Sequence, residues 1–278
     1  MLNKLKAHLR RIGFHLGNKI NTGSQEFNMQ GYYASRLDWD ANHEPYMLNV
    51  LREQIEGNDG VFLDVGVNVG QTLLKVLEVS RGQRYIGFEP LMACCFHVQE
   101  FIRLNNLSNA SLIPVALSDS NGTEKFYFRH QFDDMASLEA SNEDRQAKGG
   151  NESFSYVQTR VGDELIAELK LNEISAIKID VEGAEIKVLK GLKDTLSSMK
   201  PVIIFEVLPN FYLKNGYHKL SKEAADQNRK NADEIYDYLT NLGYRIFLLD
   251  HEGKQTQIDA FQLDDASSIV GTNYVARG

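Results

Sequence analysis

The run Val61-Phe62-Leu63-Asp64-Val65-Gly66-Val67-Asn68-Val69-Gly70 constrains the fold of this chain more than any other stretch. Its apolar opening ends in a carboxylate and is short enough for a strand buried on both faces of a parallel sheet. After Gly70 come Gln71-Thr72-Leu73-Leu74-Lys75-Val76-Leu77, whose apolar positions suit the buried face of a helix. Strand, glycine turn and helix together form a cradle. Backbone without a Cβ lets a ligand come close, and a helix N-terminus offers unpaired N–H groups. The plainer alternative is an ordinary strand-to-helix turn capped by Asp64.

Two cofactors use such a cradle, and the spelling separates them. The dinucleotide pattern G-x-G-x-x-G would need glycines where Asn68 and Gln71 stand. The D-x-G-x-N-x-G spelling of Asp64, Gly66, Asn68 and Gly70 suits S-adenosylmethionine, whose amino-acid end needs both donors and acceptors.

Further acids fall at the ends of predicted strands. Arg84 to Pro90 reads as a second strand ending in Glu89, about 20 residues past the glycine turn, where a carboxylate accepts ribose hydroxyls. Ser111 to Asp119 reads as a third strand breaking into a turn. Ser118 and Asp119 either line an adenine or form that turn with Asn121-Gly122. Ile174 to Asp180 and Pro201 to Glu206 are two more strands with terminal acids. Asp64, Glu89, Asp180 and Glu206 would then edge one crevice at the carboxyl ends of a doubly wound sheet. Tyr244 to Leu249 and a short final strand at Asn273 to Ala276 complete seven strands, the last antiparallel.

The division expected is an extension over residues 1–56 and a main domain over 57–278, with a β-arm and lid inserted at about 123–160. In the extension, Leu2, Leu5, Leu9, Ile12, Leu16 and Ile20 have the spacing of one helical face, beside Lys4, Lys6, Arg10, Arg11 and Lys19. Such a basic helix could lie on an anionic membrane surface, pack on its own domain, or join two copies into a homo-oligomer. Phe27, Tyr32, Tyr33, Trp39 and Tyr46, with His43 and Glu44 nearby, either glue this segment to the core or stack on a sugar.

Net charge is −8, and five basic residues precede Glu26 without an acid, so the rest of the chain is more acidic still. Such a body repels phosphate backbones, which argues against a nucleic-acid partner. Cys94 and Cys95 are neighbours, unsuited to a framework disulfide, and no run has the length of a membrane span or a leader's apolar core. The expected setting is cytoplasmic, with the basic helix as the one route to the inner membrane surface.

These residues resemble the FkbM family of S-adenosylmethionine-dependent methyltransferases, roughly from Glu44 to Tyr212. The likeness rests on Asp64 to Gly70, Glu89-Pro90, Ala116 to Asp119, Ser137-Leu138, Lys178 to Glu185 and Glu206; Val67 stands where the family usually has alanine. It implies a class I methyltransferase fold, a Rossmann-like α/β sheet, and for many members O-methylation of sugars in glycans or natural products. Its acceptor would be a small molecule or glycan.

A sugar hydroxyl is too weak an acid to ionise freely at neutral pH, so a base or a metal should assist. Asp180 is the first candidate base and Glu206 the second. Together they could instead hold a magnesium-type ion, or Asp180 could bind the cofactor's ammonium. His43 and His218 are rival bases. The competing functions are a nicotinamide-dependent oxidoreductase, disfavoured by Asn68 and Gln71, and a cofactor-binding protein without turnover. Methylation of a nucleic acid base is disfavoured because Asp180-Val181-Glu182-Gly183 replaces a Pro-Pro-aromatic element.

Overall fold

The computed structural model describes residues 18–22, 24–29, 45–130, 136–138, 153–212, 218–250, 252–264 and 272–278. Asn18–Thr22 (β1) and Gln25–Met29 (β2) form an antiparallel hairpin. The chain is therefore strand where a basic helix was expected to continue through Ile20. Ile20 and Thr22 on one strand and Phe27 and Met29 on the other are buried at two-residue spacing, and period two wins over the helical reading. Residues 2–16 of that helix, with Tyr32, Tyr33, Trp39, His43 and Glu44, lie outside the described residues.

Pro45–Ile55 (α1), Val61–Val65 (β3), Gln71–Val79 (α2), Tyr85–Phe88 (β4), Met92–Leu104 (α3) and Ala110–Ile113 (β5) follow. The expected third strand divides after β5, because Pro114 interrupts it. Its second half, Ala116–Ser118 (β6), joins Gly122–Phe128 (β7) and Ser153–Val161 (β8) in a separate three-stranded sheet, ordered β6-β8-β7. The expected arm is this β7–β8 ribbon; most of the expected lid lies outside the described residues. Then come Gly162–Glu168 (α4), Ile174–Ile179 (β9), Glu185–Gly191 (α5), Lys193–Ser198 (α6) and Val202–Glu206 (β10). A small hairpin of Phe211–Tyr212 (β11) and His218–Lys219 (β12) leads to Lys222–Asn241 (α7), Arg245–Leu249 (β13), Gln255–Gln257 (β14) and Asn273–Arg277 (β15).

The main sheet runs β14-β13-β15-β10-β9-β3-β4-β5. β3 pairs in parallel with both β4 and β9, so the chain leaves β3 toward one edge and returns to its other side. That reversal opens a crevice at the carboxyl ends of β3 and β9. β15 is antiparallel to β10 and β13 on either side, as expected of the last strand. The departure is β14, an eighth strand paired antiparallel to β13 at the edge.

Alternation along each strand builds two cores. Leu63, Val65, Ile177, Ile179, Ile203 and Phe205 face α4 to α7. Phe62, Ala176 and Ile204 face α1, α2, α3 and the hairpin, through Leu51, Leu73, Phe101 and Phe27. The described part of the 1–56 extension thus shares the core of the main sheet. No described helix is long and apolar enough to cross a membrane.

Candidate active site

Strand parity decides what the crevice contains. Asp64 and Lys178 are direct partners across β3 and β9, and they point to the face that Phe62 and Ala176 occupy. Asp180 and Glu206 share that parity, two residues beyond Lys178 and Ile204. The residue that sequence reasoning left without a role is therefore the central one. Lys178 is buried, and its ammonium donates to Asp180 Oδ2 at 2.7 Å. The signal was present: two charged residues at i and i+2 in an otherwise apolar strand must share a face.

Asp64 lies below this level, fully buried. Its Oδ2 accepts from the Tyr85 hydroxyl at 2.5 Å, and its Oδ1 has no hydrogen-bond partner among the described residues. Burial pushes its carboxyl up to about 6, against the pull of Lys178 and Tyr85. The sequence placed Asp64 at the strand mouth; the structure buries it completely, one residue before the end of β3.

The turn above it is held by carboxylates acting on backbone. Glu89 accepts from the N–H of Asn68 at 2.8 Å and of Leu91 at 2.7 Å, tying the glycine turn to the start of α3. Burial pushes Glu89 up to about 7 even so. Asn68 sits at φ 49° and turns its Oδ1 onto the N–H of Val69 at 2.7 Å. Gly66 is fixed by close approach: at φ 90°, an added Cβ would fall 1.9 Å from the carbonyl oxygen of Asp180. α2 follows Gly70 with no side-chain cap, so no N-cap side chain takes up its first-turn N–H groups.

Beyond β9, Glu182 adopts φ 56° and Gly183 φ 104°, and this turn swings the Glu182 carboxylate toward the others. Asp180, Glu182 and Glu206 bring their oxygens within 4.8 Å of one another. Glu185 holds the turn from below, accepting from the N–H of Gly183 at 3.1 Å, and burial pushes it up to about 7. Glu206 is pushed up to about 8, first by desolvation and then by the Asp180 charge, with a hydrogen bond from Thr272 and the Lys178 charge opposing. Sequence reasoning missed Glu182 because only a left-handed turn brings it round, and Glu185 because its work is on backbone.

Ser118 and Asp119 lie at the end of β6, which belongs to the separate three-stranded sheet. Ser118 is buried where Gly191, at the far end of α5, packs on its carbonyl; a Cβ on Gly191 would fall 2.1 Å from that oxygen. Among the described residues, the exposed Asp119 accepts from the neighbouring hydroxyls of Ser118 and Ser120 at 3.4 and 3.5 Å. Ala116 of that stretch packs with Leu91 and Ala184. The side chain of His218 lies outside what is described.

The acid group can accept a proton, hold a hydroxyl by hydrogen bonds, or ligate a hard cation. For a magnesium-type ion the oxygen donors fit, but Lys178 already supplies a cation against Asp180.

A family model described as Methyltransferase FkbM domain matches residues 64–246. The chain is 29% identical over 154 residues to the 2-O-methyltransferase NoeI of Sinorhizobium fredii, covering 52% of this chain and 63% of that protein. It is 29% identical over 170 residues to the hexuronic acid methyltransferase AglP of Haloferax volcanii, covering 59% of this chain and 63% of that one. The matches thus span under two thirds of either relative's length. Among solved structures, a methyltransferase FkbM from Methylobacillus flagellatus superposes with a TM-score of 0.46 at 15% identity, over 78% of this chain and 43% of that one.

Proposed function

Since this chain belongs to the FkbM methyltransferase domain family, we propose that it transfers a methyl group from S-adenosylmethionine to a hydroxyl of a sugar or glycan. The observation that carries the reading is the convergence of Asp180, Glu182 and Glu206 within 4.8 Å, beside a glycine turn whose helix starts uncapped. NoeI and AglP, by their names, methylate a 2-hydroxyl and a hexuronic acid. That favours a carbohydrate over other alcohols.

The residues present fit the cofactor. Gly66, Asn68 and Gly70 provide backbone that a ligand can approach, and the first-turn N–H groups of α2 suit its carboxylate. Glu89, already turned onto Asn68, presents its remaining lone pairs to the ribose. Ser118 and Asp119, at the end of β6, are the candidates for the adenine end of the cofactor. When bound, S-adenosylmethionine supplies a methyl group already activated on its sulfonium.

The protein therefore has to orient the hydroxyl, exclude water and remove one proton. Asp180 spends Oδ2 on the Lys178 ammonium, which leaves its other oxygen to meet the hydroxyl. Glu206, raised by burial and by the Asp180 charge, has a value near 8 that matches a proton acceptor working near neutrality. Glu206 takes the proton, Asp180 aligns the hydroxyl through its free oxygen, and Lys178 holds Asp180 in place. This reverses the order in which the sequence ranked the two acids.

The test is incubation with methyl-labelled S-adenosylmethionine and a panel of oligosaccharides, with and without uronate. Label in an alkali-stable methyl ether is expected, strongly reduced in Glu206→Gln. Calorimetric binding of NAD but not of S-adenosylmethionine would overturn the reading in favour of an oxidoreductase. Binding without turnover on every acceptor would favour a cofactor-binding protein.

A further inference from the structure

The β7–β8 ribbon carries a row of rings that the reaction does not use. Tyr127 and Phe154 are direct partners across it, as are Lys125 and Tyr156, so these side chains share one face. The opposite face, with Phe126 and Val157, is buried against Leu91, Cys94 and Ala184. On the open face Phe154 is 49% exposed and Tyr156 67% exposed. Their rings meet edge to face at 5.7 Å, and Tyr127 continues the row at 6.3 Å from Phe154. Lys125 Nζ sits 4.6 Å from the centre of the Phe154 ring. A single exposed ring needs no explanation, but a contiguous aromatic row with a cation laid on it does.

The row is tied to the acid cluster through one residue. Ser137 pairs with the backbone of Tyr127 in both directions, at 2.9 and 3.1 Å. Its hydroxyl is wholly buried and donates to the carbonyl of Glu182 at 2.9 Å. The end of the row that carries Tyr127 and Phe154 is thus the end beside the crevice.

We infer that this row is a subsite for an anionic sugar, the unit next to the one methylated at Asp180 and Glu206. The inference rests on the proposed function and extends it to the acceptor's second residue. Pyranose rings present apolar C–H faces that lie flat on aromatic side chains, while their hydroxyls stay in water. Lys125 selects the charge. The chain carries −8 overall and crowds its acids into the crevice, so an ammonium exposed on the ribbon is where a carboxylate meets favourable potential. A neutral or purely apolar occupant would cover that ammonium without pairing it.

The experiment uses the full chain and a hyaluronan tetrasaccharide, in which glucuronate alternates with N-acetylglucosamine, against its carboxyl-reduced counterpart. Saturation-transfer NMR reads sugar binding, and calorimetry in the same samples reads S-adenosylmethionine. The wild-type chain is expected to bind the uronate probe, and the double variant F154A/Y156A to bind it at least about tenfold more weakly. Lys125→Ala is expected to weaken the uronate probe by about fivefold and leave the reduced probe unchanged. None of these side chains touches the cradle, so cofactor affinity stays at the wild-type value and reports folding. No transfer from the wild-type chain to the probe, or equal binding by F154A/Y156A, overturns the subsite. Sedimentation showing a wild-type dimer that F154A/Y156A abolishes would give this face to a second copy and overturn it too. If the wild-type chain fails to bind S-adenosylmethionine, it is the methyl-transfer reading that falls, and the sugar signal still decides the subsite.

Discussion

The Nζ of Lys178 lies 2.7 Å from Oδ2 of Asp180, and the same lysine faces Asp64 directly across the β3–β9 pair. One buried ammonium thus serves carboxylates from three neighbouring strands, since Glu206 on β10 also feels its charge. Asp180 is a third exposed, but Asp64 is fully buried, and leaving a buried carboxylate without its cation costs about 3 kcal/mol or more.

Lys178→Met keeps the length of the side chain and removes the charge. The variant is expected to lose about 3 kcal/mol of stability in urea titrations. Its kcat/KM is also expected to need a higher pH, because the remaining acids then hold their protons more firmly. A stable variant whose pH profile coincides with the wild type would remove Lys178 from this role.

Glu206 makes a prediction about pH in its own right. A base must lose its proton before it can accept another, so kcat/KM should climb with pH and level off above about 8. Glu206→Gln should lower activity by about two to four orders of magnitude and flatten that climb. A wild-type profile that is level from pH 6 to 9 (roughly the range over which such a base titrates) would place the proton acceptor elsewhere.

The same geometry bears on metal dependence. Asp180, Glu182 and Glu206 bring oxygens within 4.8 Å of one another, yet the cation already lodged against Asp180 is Lys178. Methyl transfer is therefore expected to survive excess EDTA, followed as label incorporation. Loss of transfer restored by magnesium would reassign these three carboxylates as ligands.

Much of this arrangement was legible because a doubly wound sheet has so few ways to be built. The runs ending in Asp64, Glu89, Asp180 and Glu206 are apolar and short, and each is a strand of the main sheet or the residue just past one. What could not be read was depth and face. Asp64 and Asp180 both look like strand-end acids, yet one is sealed under Tyr85 and the other is open to the crevice. Glu182 depends on a left-handed turn that no propensity announces. Ser118 depends on the packing of Gly191, more than seventy residues away. Near the N-terminus, Ile20 fitted a helical stripe and a strand equally well, and its hairpin partner Phe27 decided between them.

Asp64 permits a test that needs no substrate. Its folded value of about 6 lies above the ordinary 3.8, so the folded chain keeps a proton that the unfolded chain has released between those values. Whenever the folded state binds more protons, stability falls as pH rises. The stabilising proton is fully in place below the unfolded value and gone above the folded one. Across that window the loss amounts to about 3 kcal/mol, at 1.36 kcal/mol for each unit. Asparagine cannot ionise, and its carbonyl still accepts from the Tyr85 hydroxyl. Asp64→Asn should therefore match the wild type near pH 4 and exceed it by about 3 kcal/mol near pH 7. Glu89, Glu185 and Glu206 are raised in the same sense and steepen the decline in both proteins, so the comparison must be made as a difference between the two curves. Urea unfolding of both proteins across this range measures that difference. Parallel curves would mean that Asp64 is ionised in the folded chain throughout, with Lys178 and Lys75 outweighing its burial.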